Sequence, residues 1–531
     1  MDRLAIFLVF VTGLLLALPA GAGADASDLS DQNLVEIGRK VYQEGLLADG
    51  TPVKAFVLGD IEVSGSQFTC LNCHRRSGLG GPEGTKFVLP VNGGSILIPR
   101  VDLYMARPAY DAGSFAEALR TGVNPNGAAF DPIMPKYHLP ELEAKALFSY
   151  LKGLSNEYSP GLTDEVLHVA TVIDRAVDPQ LRREMLSVLE AFVHNKNAQT
   201  RNEKKRYTSG PFYQEYRNKA YRQWILHVWE ISGPSDSWPQ QLADHYRQQP
   251  VFAMISGMVK GEWAPVHGFC RANGIPCLLP NTILPAIETP ADFYTLYYSK
   301  GLILEALTMQ TEIAATQASG PVRQIYRQGA PGERGARALA EQLGANRSIL
   351  YDIATMGQAD WNRLQEQASG SPVVMWLDAN DLTLVGRQFQ PVAGTMIYLS
   401  SSLLQGNLDR VPTTFNTTAS IIHPYNLPAD QHGRFLRVAA WLKGNNIPLT
   451  NSLIQGQTYY ACLLLNAGLK HIKRYFYRDY LLDLLDHGDR MAPYSGNYPR
   501  LSFGPEQRFL AKGAYIIDLA TSASRWVVPG H

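Results

Sequence analysis

The sequence lacks a charge excess, a second long apolar run and the short motifs of several enzyme classes. Its 531 residues include 48 Lys and Arg against 48 Asp and Glu, so charge gives no indication of nucleic-acid binding. P-loop, GxGxxG, HExxH and Ser-His-Asp patterns are all missing. After the N-terminal region no segment approaches the ~18 unbroken apolar residues of a membrane span. We therefore expect no stable span in the mature protein.

Cysteine is scarce, with five residues in the chain. Two of them stand in the sequence Cys70-Leu71-Asn72-Cys73-His74, and the other three lie far along the chain. A zinc site would need further Cys or His ligands at short spacing. A thioredoxin-like dithiol would need a βαβ context, whereas Gly-rich loops flank this motif. Haem attachment needs only these residues, because two thiols bond to the haem vinyl groups and the next histidine binds the iron.

The N-terminus has the layout of a secretory signal peptide over residues 1–24. Arg3 gives a basic start, residues 4–18 form an apolar run, and Ala22-Gly23-Ala24 matches a cleavage site. An uncleaved anchor is the alternative, although the run is short for a membrane span. The peptide predicts export to the periplasm, where the cysteines meet an oxidising environment.

A second iron ligand is expected downstream of His74. Met134 lies in a loop bounded by Pro132 and Pro135 rather than on an apolar helical face, where methionine is usually core packing. A thioether ligand fills the sixth position of haem iron and raises its reduction potential. Met105 and His138 are the competing candidates.

Two amphipathic helices flank this region. The segment DQNLVEIGRKVYQEG repeats apolar residues on one face, and Gly38 on that helix lets another helix approach closely. The second segment, PELEAKALFSYLKGL, begins with Pro140 and has acidic residues in its first turn, as helix N-termini prefer. The two segments predict a helix pair around the motif.

With these features, residues 29–155 resemble class I c-type cytochromes. The resemblance rests on Gly38-x-x-x-Tyr42, the Cys-x-x-Cys-His motif, the Met134 loop and the closing helix. It implies a small all-α domain with one covalent haem c, bound through Cys70 and Cys73 and ligated by His74 and Met134. Residues 46–69 depart from the family, because the usual gap before the motif is much shorter. This insertion is expected to cover the haem edge or to dock on the second domain.

From about residue 165 apolar β-rich runs alternate with helical patterns. The runs LHVATVID, WILHVWEI and VFAMISGM, then PVRQIYR, PVVMWLD and TMIYLSS, are interleaved with amphipathic helices. Such βα alternation predicts parallel sheets covered by helices on both faces. Two successive blocks resemble the type I periplasmic solute-binding fold of branched-chain amino-acid receptors. The resemblance implies a bilobal α/β domain over residues 165–529, after a linker at 156–164.

The ligand-binding positions of that family match poorly. In place of its Ser/Thr cluster after the third strand, this chain has Gly257-Met258-Val259-Lys260-Gly261-Glu262-Trp263. The helix N-terminus that follows favours an anion, and Lys260 adds positive charge, so the pattern suggests an anionic small-molecule ligand. Thr282, Asp378 and Asn380 end predicted strands and are further cleft candidates. For each of the four the alternative is an ordinary loop or cap residue, which is the commoner case, and Trp263 is expected to be packing.

The three remaining cysteines have separate interpretations. Cys270 lies late in a helix and Cys277 early in the next strand, where a turn can bring Cα atoms within the roughly 4.4–6.8 Å of a disulfide. We therefore predict a bridge between them. Cys462 lies in the apolar stretch YYACLLLNAG and is predicted to be a buried free thiol.

The sequence thus predicts an exported monohaem cytochrome fused to a bilobal binding domain. Electron transfer with a periplasmic redox partner is the predicted activity, and the large domain would bind a solute or that partner. Two alternatives stay open. One is a receptor of an ABC transporter with an accessory haem, and the other is an enzyme acting through an open iron site, which a methionine ligand disfavours.

Overall fold

The structure is a computed structural model and describes residues 30–102, 105–208, 222–286, 292–316, 320–392, 394–472, 475–487, 496–505 and 507–530. The predicted signal peptide lies outside these residues. The chain divides into two compact units, Met1–Asn156 and Glu157–His531, which are described separately. Within the described ranges, no helix combines the length and apolar character needed to cross a bilayer.

The first unit is built around a helix pair. Its helices are α1 (Asp31–Glu44), α2 (Cys70–His74), α3 (Gly93–Ile96), α4 (Ala112–Thr121) and α5 (Glu141–Gly153). Helix α1 begins at Ser30, whose side chain accepts a hydrogen bond from the Asn33 N–H, and ends at Gly45 in the left-handed region. A Cβ on Gly38 would lie 2.1 Å from the Ala146 carbonyl oxygen, so α1 crosses α5 at this glycine as predicted.

The first unit also contains strands, so the prediction of an all-α domain is wrong. The strands are β1 (Lys54–Val57), β2 (Ile61–Ser64), β3 (Gly81–Glu83), β4 (Lys86–Val88) and β5 (Lys136–His138). β1 pairs antiparallel with both β2 and β5, and β3 pairs with β4. The physical reason lies in the insertion, where the buried Val53, Ala55 and Val57 alternate with the exposed Lys54 and the partly buried Phe56. This period of two is that of a half-buried strand.

The second unit alternates strands and helices along its length. Its strands are β6 (Val166–Asp174), β7 (Gln223–Ile231), β8 (Ala253–Ile255), β9 (Cys277–Leu278), β10 (Thr295–Ser299), β11 (Val322–Tyr326), β12 (Ser348–Asp352), β13 (Pro372–Trp376), β14 (Met396–Ser400), β15 (Ala419–His423), β16 (Phe509–Ala511), β17 (Ala514–Asp518) and β18 (Ser524–Val527). Its helices are α6 (Pro179–Thr208), α7 (Trp238–Gln248), α8 (Ala264–Ala272), α9 (Leu302–Ala315), α10 (Gly332–Leu343), α11 (Gln358–Gln367), α12 (Ala379–Gln388), α13 (Pro428–Gly444), α14 (Ser452–Ile472) and α15 (Arg478–Asp486).

The two sheets of this unit repeat one topology. The first has the order β16-β10-β9-β8-β6-β7 with parallel neighbours throughout. The second has the order β12-β11-β13-β14-β15-β17-β18, in which the first five strands are parallel. In each sheet the first strand of the block lies between the second and third, the flavodoxin-like order. This confirms the predicted bilobal α/β architecture.

The chain passes between the two lobes three times within the described residues. It leaves the first sheet after β10 and enters α9, whose Leu302 and Met309 pack in the core of the second lobe. It returns after β15 through α13, whose Val438 and Leu442 pack in the first. It crosses again between β16 and β17. The lobes are therefore joined by three neighbouring segments.

The predicted Cys270–Cys277 disulfide is absent, because both residues are free, fully buried thiols. Cys270 lies on the face of α8 that packs on the sheet, and its Sγ contacts Sδ of Met254 on β8 at 3.5 Å. Burial raises the pKa of the Cys270 thiol well above its ordinary value, so it packs as a small apolar group. Cys462 is a buried free thiol, as predicted.

The crossing at Gly38 makes a stability prediction. Gly38→Val should lower the free energy of unfolding of the first unit by at least roughly 1–3 kcal/mol, because the new side chain must push apart two backbones. Gly153→Ala is the control, since a Cβ there meets nothing within 4 Å. Calorimetry of the full chain measures both, and equal melting temperatures for the two variants would contradict the crossing.

Candidate functional site

A cavity of about 460 Å³ lies inside the first unit. Its wall is mainly apolar and aromatic, with sulfur and imidazole groups of the Cys-x-x-Cys-His motif on it. Its lining includes Cys70, Cys73, His74, Leu89, Arg100, Met105, Arg107, Met134 and Tyr137. The cavity therefore joins the motif to both candidate methionines.

Helix α2 holds the motif in one turn. Thr69 caps it by accepting a hydrogen bond from the Asn72 N–H, and the chain leaves it at Arg75 with φ of 64°. The Tyr42 hydroxyl on α1 donates to the Arg75 carbonyl at 2.7 Å, which fixes this exit against α1. The two Cys side chains and His74 thereby share one cavity wall.

The orientation of His74 is set by a single hydrogen bond. Its Nδ1 lies 2.8 Å from the Leu89 carbonyl oxygen, which selects the tautomer with the proton on Nδ1. Burial lowers the pKa of His74, so the ring is neutral near pH 7. Among the described residues Nε2 has no hydrogen-bond partner, and it carries the lone pair that a metal would use.

The two thiols differ in environment. Burial raises the pKa of Cys70 to about 12, and it also raises that of the half-buried Cys73. Both are thiols rather than thiolates at neutral pH, which disfavours a low-pKa redox dithiol. No group of three or more His, Cys, Asp or Glu able to hold a metal ion occurs in the described part of the chain.

Both methionines reach the cavity. Met134 and Met105 line it, whereas His138 is exposed on β5, with its ring tilted against that of Phe56 at 5.1 Å between centroids. His138 is thus removed as a competing ligand.

Two cations on the cavity wall were not anticipated. Arg107 donates to the carbonyl oxygens of Ser95 and Pro108 and lies 4.3 Å from the Tyr110 ring centroid. Burial lowers the pKa of Arg107. Arg100 pairs with Asp102 at the same wall. An apolar cavity with one cationic edge suits a flat apolar ligand that carries carboxylates.

These features fit a covalently attached haem. The donor set is one neutral imidazole and two thioethers, the ligands of c-type haem iron. The volume falls in the range of about 300–1,000 Å³ that cofactor sites occupy. The thiols available for attachment are both on the wall.

A second cavity, of about 160 Å³, lies between the lobes of the second unit. It is bordered by Glu262 and Ala264 at the start of α8, by residues 283–286, and by Arg334 on α10. Arg334 Nε lies 3.9 Å from Glu262 Oε1, so a weak ion pair spans the lobes here. The size suits a small polar molecule.

The four predicted cleft residues do not line this cavity. Lys260 is exposed, and its N–H donates to Asp174. Thr282 accepts from the Leu284 N–H within its own turn. Asp378 caps α12, and Asn380 is exposed in its first turn. Their ligand contacts stay a prediction, and Trp263 is fully buried packing.

A buried carboxyl group lies where the crossings meet. Glu305, in the first turn of α9, accepts a hydrogen bond from the Ser402 N–H at 3.0 Å, while its Oε2 has no partner among the described residues. Tyr425 and Tyr498 face it, and burial raises its pKa to about 7. The single acid in the apolar stretch GLILEALTM was the sequence signal for this site.

The similarity of this chain to solved structures concerns the fold alone. No protein-family model and no curated protein matches the sequence. A leucine-binding protein from Thermotoga maritima is 8% identical, with 68% of this chain and 97% of that chain covered and a TM-score of 0.46. A branched-chain amino-acid substrate-binding protein from Streptococcus pneumoniae, solved with isoleucine, is 10% identical, with 69% of this chain and 100% of that chain covered and a TM-score of 0.47. A branched-chain amino-acid transporter protein from Thermus thermophilus, solved with bound valine, is 12% identical, with 69% of this chain and 96% of that chain covered and a TM-score of 0.48.

Glu305 predicts a pH dependence of stability. Because its folded pKa is above the ordinary value of 4.5, folding favours the protonated form, and the free energy of unfolding should fall as pH rises from about 4.5 to about 7 and then level off. The loss should reach about 3 kcal/mol at pH 9. Glu305→Gln should remove this loss, and the exposed Glu341→Gln should retain it. Urea unfolding at pH 5 and pH 9 tests this, and identical curves for wild type and Glu305→Gln at both values would refute it.

Proposed function

We propose that the first unit is an exported, monohaem c-type electron-transfer module and that the second binds a small solute. The single observation that carries the first part is the shared cavity. It brings the two thiols of the attachment motif, the imidazole and a methionine to one apolar space. A periplasmic redox partner would supply or accept the electron.

The residues of the chain would act mainly by holding and shielding the group. Cys70 and Cys73 would form its thioether links, and His74 would be oriented by Leu89. Haem supplies one-electron iron chemistry when bound. The apolar wall of the cavity would exclude water from the group and would favour its less charged, reduced state. Arg100 and Arg107 would offset the charge of the propionate groups.

Covalent attachment gives the direct test. Wild-type protein made in a host that matures c-type cytochromes should keep a haem stain on a denaturing gel. Cys70→Ala with Cys73→Ala should abolish the stain, since no thioether can form. Cys462→Ala, at the remote buried thiol, is the control and should retain it. An unstained wild-type band would overturn the haem proposal.

A transport receptor with an accessory haem is the second candidate. The cavity between the lobes favours it, because residues of both lobes border one small polar space. Ligands bind at the carboxyl ends of parallel strands in such sheets, and residues 283–286 follow one such end. The similar solved structures are named as leucine-binding or branched-chain amino-acid transport proteins, two of them solved with isoleucine or valine.

Calorimetric titration tests solute binding with valine, isoleucine and a small anion such as phosphate. A compound that binds at the cavity should lose at least about fivefold in affinity on Arg334→Ala, the loss of one charge-assisted contact. The control is Arg347→Ala, an exposed position beyond α10. Equal affinities for the two variants would place the solute elsewhere.

A further inference from the structure

The insertion of the first unit is paired with the segment that carries Met134. Strand β1 is central, with Ala55 opposite Val63 on β2 and opposite Tyr137 on β5. β5 begins at Lys136, two residues after Met134. The strand pairing therefore fixes the chain directly after the methionine.

The same hairpin also holds the chain before the methionine. The Leu58 N–H donates to the Pro132 carbonyl oxygen at 3.0 Å. Between the two attachments the Met134 N–H donates to the Asp131 carbonyl at 2.9 Å, forming a tight turn. The Asp131 carboxylate pairs with Lys86 at 2.7 Å. Met134 thus sits in a short turn that is anchored on both sides.

The paired strands are tied to the attachment motif as well. The Tyr137 hydroxyl donates to the Phe68 carbonyl at 2.7 Å, and Phe68 precedes Cys70 by two residues. The base of the insertion is closed by backbone bonds from Val53 to Gly45 at 2.8 Å and from Gly65 to Val53 at 2.6 Å. One sheet consequently links the methionine turn, the motif and the end of α1.

Met105 is held differently. Its N–H donates to the Asp102 side chain at 2.6 Å, and a bridge joins Arg100 to Arg107 across the same loop. The side-chain amides of Asn124 and Asn126 also donate to the Ala106 carbonyl oxygen at 3.3 and 3.0 Å, so the loop is held from a second side. None of these contacts ties it to the attachment motif. A weak iron–thioether bond needs a pre-positioned sulfur, because ordering a flexible methionine side chain costs conformational entropy.

We propose that residues 46–69 are a clamp that positions Met134, in preference to Met105, as the second ligand of the haem iron. Tyr137 is the positioning residue that joins the methionine turn to the attachment motif. This rests on the proposed haem site and assigns the insertion a role within the first unit.

The test compares Tyr137→Phe with Tyr150→Phe in the full-length holoprotein. Each removes one hydroxyl, but Tyr150 accepts from Gln43 between α1 and α5 and is not part of the clamp. Imidazole competes with the methionine for ferric iron. Tyr137→Phe should raise the affinity for imidazole about fivefold, the factor expected from one lost hydrogen bond. The Tyr150→Phe value should equal that of wild type, and equal affinities in all three proteins would overturn the clamp.

The ligand assignment has its own readout. Methionine-ligated ferric haem c has a weak near-infrared sulfur-to-iron band, which Met134→Ala should abolish and Met105→Ala should leave. Loss of the band in Met105→Ala instead would overturn the proposal even though haem is attached. Haem staining of every variant separates these outcomes from failure of the haem proposal itself, which would leave no stain in the wild type.

Discussion

The hydrogen bond from Nδ1 of His74 to the Leu89 carbonyl oxygen fixes the orientation of the imidazole ring in the cavity of the first unit. It selects the tautomer, turns Nε2 to the cavity and needs β4 and the loop after it to lie across the motif. The Tyr42 hydroxyl fixes the other side of α2 against α1, and α1 packs on α5 through Gly38. Each of these contacts constrains the same short helix, so the site is supported from three directions.

The second unit depends on a different constraint. Its two sheets must share three chain crossings, and these place polar groups in the interior. Ser402 bonds Glu305 through its N–H and Tyr425 through its hydroxyl, while Oε2 of Glu305 has no hydrogen-bond partner among the described residues. A buried carboxyl without a cation costs free energy once ionised, which makes this junction a sensitive point between the lobes.

Local patterns predicted most of the framework. The helical repeat of α1 and α5, the glycine at their crossing, and the alternation of β6, β7, β11, β13 and β14 with helices all follow from the period of apolar residues. The strands of the first unit were missed because they are short: β1 and β2 have four residues each, and β5 has three and pairs only with β1. Cys270 and Cys277 are free thiols in the structure although their side chains are hydrogen-bonded neighbours, so nearness alone did not yield the predicted bridge.

The sequence by itself determined the Cys-x-x-Cys-His motif, the bilobal α/β architecture of the second unit and the approximate boundary between the units, because these depend on residues close together in the chain. Only the tertiary structure decided which groups share a space. It brought Leu89 to His74, Tyr137 to Phe68 and Arg334 to Glu262. Such contacts join residues distant in sequence, and their partners are selected by packing and by the need to satisfy buried polar atoms.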